Sequence, residues 1–97
     1  MATFIIAMNW TDQAIRAIDK ARERAQYGRD LGKKFKVEYK ELYLTSGDSD
    51  LIAIVDAPSA DDVAKFALAL SSRGNVRTRT CQAWRENEYL GLIAQLR

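Results

Sequence analysis

The sequence has no histidine, and it has only one cysteine and one proline. Without histidine the chain lacks the commonest general base, the commonest metal ligand and the usual proximal ligand of haem. The single cysteine, Cys81, excludes an internal disulfide and is compatible with a reducing cytoplasm. Because there is no histidine, it cannot form a Cys–His nucleophile within one chain. We therefore expect a cytoplasmic protein, and we assign it no catalytic residue, no metal site and no cofactor. Cys81 itself is expected to be buried by packing.

Long apolar runs and a one-sided charge are absent as well. No run approaches the roughly 18–20 apolar residues of a membrane span, and the first ten residues, MATFIIAMNW, lack the basic region of a signal peptide. Fifteen basic residues are interspersed with 13 acidic ones, which gives a net charge of +2. This balance argues against a nucleic-acid or membrane-surface partner.

Four predicted strands fall into two kinds. The apolar runs at 3–10 and 51–57 do not alternate with polar residues, which is typical of strands buried on both faces. The more polar segments at 36–45 and 76–84 have the composition of edge strands.

Helices are predicted between these strands. The first is expected at about 12–34, with a break or kink near Gly28. The second is expected at 60–74, after the cap residue Ser59 and with a left-handed ending at Gly74. A short apolar helix follows the last strand.

The resulting βαββαβ order with a trailing helix predicts an α+β fold, a ferredoxin-like sandwich with a four-stranded antiparallel sheet. Its first and third strands are then central, and both crossover helices lie on one face of the sheet. The central strands nevertheless have large apolar residues pointing both ways, so the second face would expose an apolar patch. We expect a second copy to cover it, which makes the protein a homodimer or a higher homo-oligomer, and the terminal helix to cover part of it.

Three stretches resemble the GYD-domain family of small prokaryotic proteins. They are NWTDQAI after the first strand, LTSGDSDLIAIVDAP at the central hairpin and SRGNVRTRTCQAW before and within the last strand. The Gly-x-Tyr-Asp signature of the family falls on Gly47, Asp48, Ser49 and Asp50, so a serine stands where the family has tyrosine. The resemblance implies one GYD-like, ferredoxin-like domain over residues 1–97, of the dimeric α/β-barrel type. It implies no particular reaction.

The aspartates of the central hairpin have two interpretations. They could hold a cation or another ligand, but two carboxylates without the other positions of an EF-hand loop favour simple turn formation. Gly47 is expected to have a positive φ, so that Gly47→Val would disturb the hairpin while Asp48→Ala would not.

Two further groups are candidates for a ligand site. Arg77 and Arg79 share one face of the last strand and could clamp a carboxylate or a phosphate, although edge strands also carry such charges to prevent aggregation. Aromatic residues could line a cavity between the sheet and the helices, although core or interface packing is their commoner use; these are Trp10, Tyr39, Tyr43 and Trp84. We take as candidate ligand-binding residues Trp10, Tyr43, Asp50, Arg77 and Arg79.

Two functions remain open at this point. RNA-recognition motifs share the strand order, but LIAIVDAP lacks the basic, glycine and aromatic residues that bind bases there. The chain is either a binding module for a small molecule or a protein, or a cofactor-independent enzyme with a small organic substrate between sheet and helices. Such an enzyme would need Asp50, Tyr43 or an arginine as its acid–base or electrostatic group. The lack of histidine and of any catalytic motif favours the binding module.

Overall fold

A computed structural model describes residues 1–96 of the chain. The described elements, in chain order, are β1 (Ala2–Trp10), α1 (Asp12–Arg16), a 3₁₀ turn (Ile18–Lys20), α2 (Ala21–Lys34), β2 (Glu38–Leu44), β3 (Leu51–Ala57), α3 (Ala60–Ser71), β4 (Val76–Ala83) and α4 (Glu86–Ala94). The sheet has the order β2-β3-β1-β4, and every neighbouring pair is antiparallel. The predicted ferredoxin-like fold, with β1 and β3 in the centre, is confirmed. No helix among residues 1–96 is long and apolar enough to cross a membrane.

The hydrophobic core lies between one face of the sheet and the helices. Alternate residues of β1 and β3 point to this side, and α3 packs against them through a buried apolar stripe. The ring of Phe66 is fully buried and meets the Tyr39 ring edge-on, with the ring centroids 5.9 Å apart. The main buried residues of this layer are Phe4, Ile6, Met8, Ala53, Val55, Ala57, Val63, Phe66 and Leu70.

The edge strand β2 contains a bulge at Lys40. Tyr39 and Glu41 pair with consecutive residues of β3, so Lys40 is an extra residue on this strand. As a result Tyr39 and Leu42, which are three positions apart, both pack against the core. This explains why the alternation of polar and apolar residues becomes irregular halfway along β2.

The expected kink near Gly28 is wrong. The helical segment is interrupted earlier, where α1 ends at Arg16 and the turn Ile18–Lys20 redirects the chain. Gly28 is buried within the unbroken helix α2, and a Cβ there would lie 3.0 Å from the Tyr39 hydroxyl oxygen. This glycine therefore allows close packing of the helix on the sheet and does not bend it.

Helix α2 ends in a Schellman motif around Lys36. The Val37 amide donates to the Gly32 carbonyl at 2.7 Å, and the Lys36 amide donates to the Lys33 carbonyl at 3.2 Å. Lys36 has a φ of 65°, the left-handed conformation that a side chain disfavours. A lysine thus occupies a position that glycine would fit better.

We predict that Lys36→Gly raises the free energy of unfolding by about 1 kcal/mol, because it removes the steric cost of the left-handed backbone. The control is Lys34→Gly in the last turn of α2, which should lower it by up to about 1 kcal/mol through the poor helix propensity of glycine. Urea unfolding measures both values. Equal losses in the two variants would contradict the prediction.

The positive φ expected at Gly47 is also wrong. Among the glycines of residues 1–96 it is Gly74 that has one, with a φ of 82°. A Cβ on Gly47 would meet nothing within 4 Å. Gly74 follows α3, and its carbonyl accepts a hydrogen bond of 2.5 Å from the Thr11 hydroxyl. The other predicted cap, Ser59, begins α3, where its hydroxyl oxygen accepts from the Asp62 amide at 3.3 Å.

The second face of the sheet is open. Four apolar residues of β1 and β3 that point to this side are only partly buried, namely Ile5, Ala7, Ile52 and Ile54. Cys81, the neighbour of Ile5 on β4, is exposed, so its expected burial is wrong within this chain. The expectation that the terminal helix covers part of this face is wrong too. The apolar side chains of α4 and of Leu96 just after it are 44–82% exposed; they are Tyr89, Leu90, Leu92, Ile93 and Leu96.

Candidate functional site

A pocket of about 350 Å³ lies between α2 and the core side of the sheet. Its walls are mainly apolar and come from α2, the four strands and the end of α3. The small residues Ala21, Ala25 and Gly28 form part of the α2 wall, and their spacing of four and three places them on one side of the helix. Larger side chains of α2 also border the pocket, and the gap lies over the three small residues.

Aromatic side chains contribute both surface and hydrogen-bond donors to the pocket. Trp10, Tyr27 and Tyr39 all line it. Burial raises the pKa of Tyr39 to about 12, against the smaller opposing effect of the Arg29 guanidinium, which lies 6.0 Å from the ring centroid. The Tyr39 hydroxyl is therefore protonated at neutral pH and is able to donate a hydrogen bond.

Three arginines line the same pocket, and the side chains of two of them are fixed by contacts with other residues. Arg24 donates to the Ala17 carbonyl at 2.8 Å and to the Ala14 carbonyl at 3.3 Å. The guanidinium of Arg73 lies 4.5 Å from the centroid of the Tyr27 ring, in cation–π geometry. The third is Arg22, and no carboxylate from residues 1–96 lines the pocket. The net charge of the residues that line the pocket is therefore positive.

A second polar cluster fixes the β2–β3 connection. The Asp50 carboxylate accepts from the Trp10 amide at 2.9 Å, and the Asp50 amide donates to the Met8 carbonyl at 3.0 Å. The Thr45 hydroxyl donates to the Ser49 carbonyl across the loop. Asp50 thus joins the hairpin to the end of β1, and it lies outside the set of residues that line the pocket.

The same connection is held from β4. Arg79 donates to the Ser49 hydroxyl at 3.0 Å and to the Asn9 side-chain oxygen at 3.5 Å, and Asn9 donates to the Asp48 carbonyl at 2.9 Å. Ser49, at the position of the family tyrosine, is buried. These side-chain bonds shape the loop without a left-handed residue, which accounts for the wrong expectation at Gly47. No cluster of residues suited to hold a metal ion occurs in the described chain.

We predict that Asp50→Ala lowers the free energy of unfolding by about 1–2 kcal/mol, because it leaves the partly buried Trp10 amide without its charged acceptor. Asp48→Ala is the matched control. The Asp48 side chain is exposed and only its main-chain carbonyl is bonded to Asn9, so stability should stay within about 0.5 kcal/mol. Thermal and urea unfolding test the pair. A loss at Asp48 as large as at Asp50 would mean that the Asp48 carboxylate binds something.

The five candidate ligand-binding residues do not form one site. Trp10 lines the pocket, Asp50 binds its main chain, and Arg79 belongs to the loop cluster. Tyr43 lies on the open face beside Ile52, on the far edge of the sheet from the two arginines of β4. Arg77 pairs with Asn9 and borders a shallow depression near Gly74. Of the other aromatic residues considered, Tyr39 lines the pocket and Trp84 does not.

Sequence reasoning gave no role to four charged or aromatic residues that line the pocket, which are Arg22, Arg24, Tyr27 and Arg73. The signal in the sequence was the spacing of the small residues at 21, 25 and 28, which places them on one side of a helix. Small side chains on that side leave space between the helix and the sheet.

Comparison with known proteins agrees with this fold. A protein of Thermus thermophilus named "Glutamine synthetase and cystathionine beta-lyase binding protein" is 34% identical over 84 residues, which cover 86% of this chain and 88% of that protein. The crystal structure of MtbAldR superimposes with a TM-score of 0.66 at 20% identity, over 88% of this chain and 52% of that one.

The leucine response regulatory protein LrpA of Mycobacterium tuberculosis gives a TM-score of 0.63 at 18% identity, over 87% of this chain and 51% of LrpA. The chain thus spans about half the length of these two solved structures, and the likeness shows a shared fold. The model of the GYD domain matches residues 4–93, nearly the whole chain. The chain therefore belongs to the GYD-domain family.

Proposed function

We propose that this chain is a non-catalytic homodimeric binding module, which assembles through the open face of its sheet and binds protein partners. The observation that carries the proposal is the apolar surface left uncovered on that face and on α4. A monomer rarely exposes an apolar area of this extent.

The centre of the open face is an apolar block across three strands. Ile5 lies between Cys81 on β4 and Ile54 on β3, and Ala7 is flanked by Ile52 on the β3 side. Burial stabilises such side chains by about 25 cal/mol per Å² of apolar surface. The block therefore favours contact with an apolar surface of matching shape, which a second copy offers by two-fold symmetry.

We include α4 in the same proposed interface. Its apolar side chains are exposed, and a helix that is apolar nearly all round is usually buried. They would enlarge the contact beyond the sheet face, whose four strands of about seven residues span roughly 19 by 24 Å.

The start of α4 is fixed to the sheet, which makes the apolar helix a defined surface. The guanidinium of Arg85 lies 3.6 Å from the Asp56 carboxylate and also donates to the Thr3 hydroxyl. Thr3 donates to Asp56 at 2.8 Å, which closes this small network.

Charges at the two edges of the open face support one orientation of the copies. The β4 edge carries Arg77 and Arg79, and the β2 edge carries Glu41 and Glu38, of which Glu38 is paired with Lys40 of the same strand. A two-fold axis parallel to the strands places the basic edge of each copy over the acidic edge of the other. Such complementarity favours the correct register and disfavours the alternatives.

Binding of other proteins is the activity that the name of the Thermus relative describes. We extend protein binding, as a class of activity, to this chain. We do not propose that its partners are the two enzymes in the name of the relative. The exposed free cysteine is compatible with a reducing compartment, and we place the protein in the cytoplasm.

The pocket supports binding better than catalysis. It brings Tyr39 together with arginines, but the Asp50 carboxylate is bonded to the Trp10 amide and does not line it. The described lining thus lacks a carboxylate as general base, and with a pKa near 12 Tyr39 is a poor one at neutral pH.

Light scattering at micromolar concentration tests the assembly, and native mass spectrometry of protein from its host tests the partners. We expect a mass at least twice the chain mass of 11.0 kDa and, in the second experiment, retained partner subunits. A mass of 11.0 kDa at these concentrations would refute the dimer.

A further inference from the structure

We propose that the pocket between α2 and the sheet binds a small monocarboxylate with an apolar body, of the size of a medium-chain fatty acid. The site lies on the opposite side of the sheet from the proposed dimer interface, and the inference does not depend on that interface.

The size and walls of the pocket define the body of the ligand. Its volume of about 350 Å³ falls within the range of small-molecule sites, about 300–1,000 Å³. It is also more than ten times the roughly 30 Å³ that one water occupies, and its walls are mainly apolar. Water in such a space has few partners, so an apolar chain is the better occupant.

The polar groups at the pocket define the head of the ligand. The side chains of Trp10, Tyr39 and the three arginines, all of which line the pocket, contain hydrogen-bond donors. Arg24 donates two of its five N–H groups to main-chain carbonyls, so three N–H groups remain to bind a ligand. The described lining thus has hydrogen-bond donors and positive charge but no carboxylate. Such a lining favours a ligand with an anionic hydrogen-bond acceptor.

Preorganisation strengthens this preference for an anion. Arg24 is fixed by its carbonyl partners and Arg73 by the ring of Tyr27, so little side-chain entropy is lost when a carboxylate binds. Because the rest of the lining is largely apolar, the molecule should carry its charge at one end. A fatty or aryl-alkyl monocarboxylate meets both requirements.

Decanoate and decanol form a matched pair of probes, equal in chain length and different in charge. Trp10 reports binding by fluorescence in a Trp84→Phe background, because Trp84 lies at the other end of the sheet from Trp10 and does not line the pocket. We expect saturable binding of decanoate below about 1 mM and at least tenfold weaker binding of decanol; each tenfold step corresponds to about 1.4 kcal/mol.

Three variants locate the site. Ala25→Leu fills the pocket with a good helix-forming residue and should weaken decanoate at least tenfold. Arg73→Gln should weaken decanoate severalfold and leave decanol unchanged. Arg77→Gln, on the open face, should change neither. Circular dichroism checks the fold, and if Ala25→Leu does not fold, the comparison of Arg73→Gln with Arg77→Gln decides. Equal affinity for decanol and decanoate, no saturation of decanoate binding in the millimolar range, or equal effects of the two arginine variants would overturn the proposal.

Discussion

Replacing Ile54 with glutamate is expected to convert the proposed dimer into a monomer at micromolar concentration. Ile54 pairs with Ile5 in the apolar block of the open face, and it is next to Glu41 on the other side. A glutamate there would be buried by the second copy without a basic partner, which costs several kcal/mol. Because each 1.4 kcal/mol weakens association about tenfold, this cost should move dissociation well above micromolar concentration. In the separated subunit the same side chain reaches water, so the fold should persist.

Light scattering and circular dichroism together measure this outcome. Ile15→Glu is the control, because Ile15 is 52% exposed but lies on α1, which is on the helix side of the sheet. It should remain a dimer. A dimeric Ile54→Glu protein would show that the open face is not the interface, and a monomeric Ile15→Glu protein would place the interface on the helices.

Gly32→Val is expected to lower the free energy of unfolding by about 2–3 kcal/mol, or on the order of 10 °C in Tm. A Cβ on Gly32 would lie 2.6 Å from the Val37 carbonyl oxygen, which is a main-chain atom and cannot turn aside. Gly32 also accepts the Val37 amide in the motif that ends α2, so the shift would loosen the entry into β2.

The same substitution at Gly47 is the control for this prediction. A Cβ there meets nothing within 4 Å and φ is not positive, so Gly47→Val should change stability by no more than about 0.5 kcal/mol. Calorimetry compares the two variants. If Gly47→Val proved the more harmful, the loop would need glycine for a reason other than the space around it.

The sequence was most informative where burial dictates composition. The central position of strands β1 and β3 was readable because their apolar residues do not alternate with polar ones, unlike the residues of the edge strands. The cap of α3 was equally readable, because Ser59 binds a main-chain amide within the first turn of that helix.

Local rules failed where a distant contact decides the conformation. Gly28 looks like a helix breaker, but its role is set by Tyr39 on the neighbouring strand β2. Lys36 is left-handed because the Schellman motif requires it, although nothing in a lysine predicts this. Gly47 lies in a loop whose shape comes from bonds to Asn9 and Arg79, which are far away in the sequence.

The candidate site was the least predictable part. Trp10 was identified as a ligand-binding candidate, but its pocket partners come from α2 and from the end of α3, and only the folded packing brings them together. Tyr43 and Arg77 share a face with the proposed interface instead. The type of a residue can suggest its chemistry. Whether space beside a helix stays empty depends on how all the side chains between the helices and the sheet pack together.

The bulge at Lys40 bears on how far an assembly of this chain can grow. An uninterrupted edge strand offers regular main-chain donors and acceptors on which further strands can add without limit. The extra residue breaks that regularity in β2, and the Lys40 ammonium pairs with the Glu38 carboxylate at 3.1 Å beside it. Growth by addition of strands along this edge is therefore discouraged. Contact between sheet faces, by contrast, uses up the same surface on both copies and ends with the pair.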